Sequence, residues 1–308
     1  MSAPSEHPVE SAPEAAPASQ LTELSPRLRR VIADNGGPFT FTGTCSYIVG
    51  RGVVAILDPG PAGKEAHLAA LLDAVRDEKV SHIVVTHTHR DHSPAARALK
   101  KATGAPIVGC GPHRPARPDA ADSKDRLDSG GDRDHVPDLL MREGATISGP
   151  GWTLSAIATP GHTANHLAFT LKEENALLSG DHVMAWSTTI IAPPDGSMAD
   201  YMASLAHLLT FDHVVYWPGH GGPVREPARY VRGLAAHRRR RERMILDAVK
   251  NGAQNIDAIL EAAYPAIAPA LAGAASLSTL AHLEWLVDRG EVTSQSGRAT
   301  FDARYRPA

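Results

Sequence analysis

Cysteine is almost absent: Cys45 and Cys110 are the two among 308 residues. Two thiols cannot build a disulfide framework, and in a reducing compartment they read as small buried hydrophobes. Aromatic residues make up 5% of the chain, and they are not interleaved with basic residues as they are where single-stranded bases stack. No apolar run approaches the ~18 residues of a membrane span, so no membrane partner is expected. The opening MSAPSEHPVESAPEAAPASQ has neither a basic segment nor a following apolar stretch, so a secretory signal of the usual kind is not expected. Its Pro, Ala, Ser and Glu show no periodicity, so residues 1–22 are expected to form a flexible tail and the protein to be cytoplasmic. Charge of one sign is lacking too: 31 Lys and Arg against 34 Asp and Glu leave a formal −3. That balance argues against a surface wrapped in nucleic acid, while leaving room for a local basic patch.

What remains is a globular chain, 43% apolar and long enough for one large domain and a smaller one. It carries 16 histidines. FTFTGTCSYIVG and VVAILD, separated by GRG, read as a β-hairpin that ends in the turn LDPGP. EAHLAALLDAVRDEK has helical spacing, and VSHIVVTH follows as a buried strand. In SPAARALKKATG, Ser93 suits an N-cap, Pro94 the first helical position and Gly104 the position past the end. After a strand at APIVGC, the polar segment 112–138 is expected to be a long surface loop that could face substrate. Strands resume at TLSAIATP, HLAFTL and NALLSGD, then a helix at ADYMASLAHLLTF and a strand at HVVYWPGH. From about Ala235 the pattern is helical, except for a closing hairpin at EVTSQSGRATFDARY.

Four of these strand ends share a feature. THTHRDH (86–92), TPGHT (159–163), SGD (179–181) and PGH (218–220) each place a His or Asp after an apolar strand, in a turn shaped by Gly or Pro or, in the first, at a sharp break. Strand ends on one edge of a sheet can converge. Together they supply His87, His89, Asp91, His92, His162, Asp181 and His220. Imidazole and carboxylate without thiolate suit Zn, Fe or Mn in a reactive site rather than a closed structural zinc site.

The set in this order resembles the metallo-β-lactamase superfamily, whose pattern is H-x-H-x-D-H, then His, Asp and His; the resemblance covers roughly residues 38–225. It implies an αββα sandwich of two mixed sheets, of class α/β (α+β), with a catalytic domain over residues 23–233. It implies two zinc ions per chain, Fe or Mn being compatible with the same donors. His87, His89 and His162 would hold the first ion, Asp91, His92 and His220 the second, with Asp181 between them. GTCSYIVG, LDPGP, THTHRDHS, TPGHTANH and GDHVMAWSTTIIAPPDGSMADYMASL are similar to the lactamase-like protein 2 group. HRRRRERMILDAVK, ASLSTLAHLEWLVDRGEV and the closing hairpin resemble that group's C-terminal winged helix, which would span residues 234–308. β-Lactamases of this type usually have Cys at the place of Asp181, which counts against antibiotic hydrolysis.

The implied chemistry is hydrolysis by a metal-bridging hydroxide, with no separate nucleophilic side chain. Asp91 is the candidate catalytic residue, either as a simple ligand or also as the group that passes a proton to the leaving atom. The first substrate reading is a phosphodiester of RNA; the second is a thioester or ester of a small carrier, as in glyoxalase II. A third reading is a non-catalytic metal-binding interaction protein, which retention of all seven donors opposes. A homodimer is left open. His166 and His182, beside the candidate donors, are expected to be ordinary surface histidines rather than orienting partners. Thr188 and Thr189 are expected to be packing residues, and His113, His135, His207, His213, His237 and His282 structural. In HRRRRER, 237–243, the arginines are expected to point outward from a helix whose inner face is Leu234, Met244, Ile245, Ala248 and Val249.

Overall fold

The computed structural model describes residues 18–117, 130–268 and 271–308. Most of the expected tail, and residues 118–129 of the expected loop, lie outside the described residues. The chain opens with β1 (Leu21–Glu23), β2 (Leu28–Ile32), β3 (Cys45–Arg51) and β4 (Val53–Leu57). α1 (Glu65–Ala74), β5 (Lys79–Val85), α2 (Ala95–Thr103), β6 (Ile107–Gly109) and β7 (Leu139–Leu140) follow. These strands form one sheet in chain order, antiparallel as far as β4 and parallel from β4 to β7. The parallel steps β4–β5 and β5–β6 cross over through α1 and α2, as parallel pairing requires.

β1 and β2 go beyond the sequence reading, and β1 begins inside the stretch expected as tail. Arg29 and Arg30 hide β2, because they interrupt its apolar pattern and yet are buried. Arg29 reaches Glu78 at 2.7 Å and the carbonyls of Gly50 and Ala74, while Arg30 donates to the Gly221 carbonyl. The expected strand at FTFT is instead a turn, in which Phe41 donates to the Gly37 carbonyl. Ser93 does not cap α2; its hydroxyl donates to Asp132 at 2.8 Å. Gly104 does end that helix, with φ of 74°.

The second sheet comprises β8 (Thr146–Gly149), β9 (Trp152–Ala158), β10 (Leu167–Leu171), β11 (Ala176–Gly180) and β12 (Val215–Pro218). Its order is β12-β11-β10-β9-β8, parallel only between β11 and β12, which α3 (Met198–Leu208) connects. Period-two alternation decides what each face meets. Leu154, Phe169, Leu171, Leu178 and Trp217 pack with Ile48, Ile56 and Val84 of the first sheet. Their neighbours Ala168, Leu177 and Tyr216 face α3 and the next helix. α1 and α2 cover the first sheet through Leu71, Ala96 and Leu99. This is the expected four-layer αββα order.

Beyond it come α4 (Pro227–Lys250), α5 (Ile256–Ala263), α6 (Ala272–Asp288) and the hairpin β13 (Val292–Ser294) with β14 (Tyr305–Pro307). α4 starts before Ala235 and runs unbroken through 233 and 234, where the two domains are expected to divide. Tyr230, Val231 and Leu234 belong to the core beneath α3, whereas Ile245, Ala248 and Val249 pack with α5, α6 and Tyr305.

The arginine run also departs from expectation: Arg238 and Arg241 are buried, and only Arg239, Arg240 and Arg243 are exposed or partly so. Positions 234, 238, 241, 245 and 248 lie at the i, i+4, i+7 spacing of one helical stripe, so the inner face carries both guanidiniums across the junction of two cores. Arg238 donates to the Thr189 carbonyl and to Ser278 Oγ; Arg241 donates to the Ala263 carbonyl at 2.7 Å and covers the ring of Tyr264. Among the described residues no helix is long and apolar enough to cross a membrane.

Candidate metal centre

All four strand-end motifs meet at one edge of the two sheets. THTHRDH leaves β5, TPGHT joins β9 to β10, SGD ends β11 and PGH ends β12. Their side chains form two adjoining groups, within each of which the donor atoms lie within 4.8 Å of one another: His87, His89, His162 and Asp181 in one, and Asp91, His92 and His220 in the other. Asp181 touches both. Its Oδ2 is 3.6 Å from His162 Nε2 and 3.3 Å from His220 Nε2, and its Oδ1 is 3.4 Å from His92 Nε2. Asp91 Oδ2 is 3.2 Å from the Nε2 of both His92 and His220.

The glycines make this approach possible. A Cβ on Gly219 would lie 2.2 Å from Asp181 Oδ1, and one on Gly180, whose φ is +51°, would lie 2.6 Å from His166 Nε2.

Hydrogen bonds outside the cluster fix which ring nitrogens face inward. The His162 Nδ1 hydrogen points at the Ile190 carbonyl, 2.7 Å away, and that of His220 at the Gly43 carbonyl, 3.2 Å away; a carbonyl only accepts. His92 Nδ1 donates to Asp58 Oδ2 at 3.0 Å. Thr86 spends its one hydroxyl hydrogen on the same Asp58 oxygen at 2.7 Å, so toward His87 Nδ1, at 2.9 Å, it can only accept. Four Nε2 atoms are thereby left to the interior, facing one another and His89 Nδ1. His92 and His220 stand 3.3 Å apart and His162 and His89 2.9 Å apart, Nε2 to Nε2 and Nε2 to Nδ1. Asp181 Oδ1 is buried with no hydrogen-bond partner. Converging nitrogens with their hydrogens on the far side and an orphaned carboxylate oxygen are the donor set that a divalent cation completes.

Electrostatics divides the cluster. Burial drives His87 well below the usual imidazole range, with His92 and His89 adding to the effect. His89 falls to about 3 through burial and the neighbouring His162, and burial lowers His162 against the pull of Asp181. On the other side burial opposes the charge on His220, but Asp181 and Asp91 outweigh it and hold the ring at about 10; His92 is raised by the same carboxylates. Both carboxyls sit well below their usual range despite burial, because His220 and His92 favour the anions. Three neutral imidazoles thus adjoin a proton-rich patch in which a cation can replace protons.

Several contributors lie outside the sequence reading. Asp58 follows β4 as directly as the other donors follow their strands, and it accepts from the Thr86 amide at 2.8 Å as well as from Thr86 Oγ1 and His92. The strand-end rule applied to LDPGP would have found it. His166 and His182 are fully buried rather than superficial. His166 Nδ1 meets Thr159 Oγ1 at 2.8 Å and its Nε2 accepts the Asp181 amide at 3.1 Å, which orients that residue. Thr189 donates its hydroxyl to the Asp181 carbonyl at 2.8 Å, and Thr44 donates to Asp91 at 3.0 Å. The ends of the 112–138 loop fold over the cluster: His113 meets Thr88 at 2.9 Å, and the Asp132 amide donates to the Thr88 carbonyl at 2.6 Å. Cys45 and Cys110 are buried free thiols, as expected.

Comparison with known proteins agrees with this geometry. The model of the metallo-beta-lactamase superfamily matches residues 39–220, and that of the beta-lactamase associated winged helix domain matches residues 256–299. A beta-lactamase-like protein 2 homolog of Caenorhabditis elegans is 32% identical over 75% of this chain and 73% of its own. An atrochrysone carboxyl ACP thioesterase of Paecilomyces divaricatus is 30% identical over 76% and 69%. Among solved structures, a metallo-beta-lactamase family protein from Thermus thermophilus shares the fold with a TM-score of 0.72 at 24% identity, over 93% of this chain and all of that one. A beta-lactamase domain protein from Burkholderia ambifaria does so with a TM-score of 0.77 at 21% identity, over 96% and 95%. The chain belongs to the metallo-beta-lactamase superfamily, as a metal-dependent hydrolase that carries a C-terminal winged helix.

Proposed function

We propose that the cluster binds two zinc ions, one at His87, His89 and His162, the other at Asp91, His92 and His220, with Asp181 shared, and that the protein hydrolyses a thioester or ester. Fe or Mn would suit the same nitrogen and oxygen donors. The observation that carries the metal assignment is the outward pinning of four Nδ1 atoms by Asp58, Thr86, Ile190 and Gly43. Bound there, two such cations polarise a carbonyl and lower the pKa of a water toward ~7.

The side chains do the rest. Asp91, which keeps partial access to solvent, is an anion at neutral pH and is steadied by the Thr44 hydroxyl. It accepts the hydrogen of the attacking water and returns it to the leaving atom. The hydroxyl part joins the carbonyl carbon, the carbon–sulfur or carbon–oxygen bond breaks, and an acid and a thiol or alcohol depart. Asp181, held by His166 and Thr189, keeps the two groups of imidazoles in register.

Two facts favour a thioester or ester over an RNA phosphodiester: a relative named as an ACP thioesterase, and the burial of Arg238 and Arg241, which removes two cations from any phosphate path. The test uses purified, metal-quantified protein on acyl-glutathione, acyl-coenzyme A and single-stranded RNA. Thioester turnover that chelation abolishes and zinc restores is expected; RNA cleavage without thioester turnover would overturn the substrate reading.

A further inference from the structure

Beside the metal cluster lies a second cavity, of about 230 Å³, between residues 184–190 of the catalytic fold and α4, α6 and the segment before α6. None of the seven donors lines it. Its walls are largely apolar, with Met184, Trp186, Ile190, Ile267 and Ala274 among them, and Phe39 and Leu271 stand at its border 55% and 47% exposed. Large side chains left in water at the rim of a cavity are the usual mark of a ligand site.

The wall it shares with the cluster is short and touches both ends of it. The Ile190 carbonyl holds His162, Thr189 holds the Asp181 carbonyl, and Trp186 lies against Gly221, the residue after His220, so closely that a Cβ there would come within 3.1 Å of the indole. The opposite wall offers no ready charge, because Arg238 and Arg241 direct their guanidiniums to the Thr189 and Ala263 carbonyls.

Building on the thioester or ester reading above, we infer that this cavity receives the acyl group of the substrate, and that the group is apolar and of medium length or ring-bearing. The size is suitable, since a cavity of roughly 150 Å³ is enough for benzene. The acyl carbonyl would stay on the cluster side of the 184–190 segment, the chain or ring on the other. An acyl pocket of this kind makes the winged-helix side of the molecule part of substrate selection, through α6 and the segment before it.

The test is a series of S-acyl-N-acetylcysteamine thioesters, acetyl to hexanoyl plus benzoyl, hydrolysed by the full-length zinc-loaded protein. Octanoate and benzoate binding is measured by calorimetry in parallel. kcat/KM should climb about fourfold per methylene as each is buried. Ala274→Trp places an indole in the cavity, so the hexanoyl-to-acetyl ratio should fall at least tenfold and octanoate binding should vanish. Ile267→Ala enlarges a half-buried wall and should shift the optimum to longer acyl groups; it decides the matter if the tryptophan variant does not fold. Thioesters turned over with the same acyl preference in wild type and variants would overturn the cavity assignment while sparing the thioester reading. Octanoate bound by wild type and lost in Ala274→Trp, with no thioester hydrolysed, would leave the cavity and remove the thioester reading.

Discussion

Asp58→Asn is the most economical perturbation of the site, because it replaces one atom and leaves all seven donors in place. The carboxylate now accepts three hydrogen bonds, from the Thr86 amide, the Thr86 hydroxyl and His92 Nδ1. If the carboxamide keeps its oxygen on the Thr86 amide, its NH2 must occupy the place of Oδ2, where two donors already point. Each conflict is relieved in one way. His92 moves its hydrogen from Nδ1 to Nε2, and Thr86 turns its hydroxyl toward His87 Nδ1, which pushes that hydrogen to Nε2 as well. Two of the four inward nitrogens then carry hydrogens. Loss of a single orienting partner typically costs 10- to 100-fold in metal affinity, about 1.4–2.7 kcal/mol; with two ligands affected, the upper end is expected. Zinc affinity would be measured by competition with a chromophoric chelator, alongside thermal unfolding in EDTA. That second measurement isolates the ordinary cost of a mispaired buried group, about 1–3 kcal/mol. A variant that binds two zinc ions with wild-type affinity would refute the tautomer argument, whatever its stability.

Asp181→Ala should reduce bound metal well below two equivalents, since its carboxylate touches both groups, whereas His220→Ala should weaken chiefly one ion; elemental analysis after gel filtration reads both, and full occupancy in Asp181→Ala would end the shared-ligand assignment. Arg238→Met should destabilise the fold by about 2 kcal/mol in urea unfolding, charged-donor bonds to Thr189 and Ser278 being lost while the desolvation of a buried cation is relieved; an unchanged midpoint would place Arg238 among dispensable charges. Burial holds Glu284 up at about 7, above its usual 4.5, against the pull of Arg117. The native state therefore keeps a proton that the unfolded state gives up, and stability falls as pH rises from about 4.5 through 7. Glu284→Gln should be nearly neutral at pH 5 and stabilising at pH 8, by at most about 3 kcal/mol at about 1.36 kcal/mol per unit. Equal effects at the two pH values would contradict the assignment.

The strand-end histidines and aspartates are readable from the sequence because a metal site built on sheet edges takes its donors locally: each comes within a few residues of an apolar run that is itself recognisable. The same locality makes α2, α3 and the two-sheet pattern plain, since alternation and helical spacing are properties of neighbours. Asp58 carries no such signal, because a lone Asp before Pro-Gly is ordinarily a turn residue and its hydrogen bonds go to residues 28 and 34 positions further on. β2 is obscured for a related reason: Arg29 and Arg30 are inside only because Glu78 and distant carbonyls receive them.

Tertiary structure decided the rest. Which ring nitrogen of each histidine faces inward depends on carbonyls as remote as Ile190 for His162 and Gly43 for His220. Which arginines of α4 point outward depends on two cores meeting along one helix, so the stripe that holds Leu234 and Ile245 also takes in Arg238 and Arg241. The acyl cavity belongs to no segment at all, for it is the space left where the 184–190 stretch fails to touch α6. A sequence specifies which side chains prefer to leave water, but the direction in which each one leaves it is set by whatever surface packs against it.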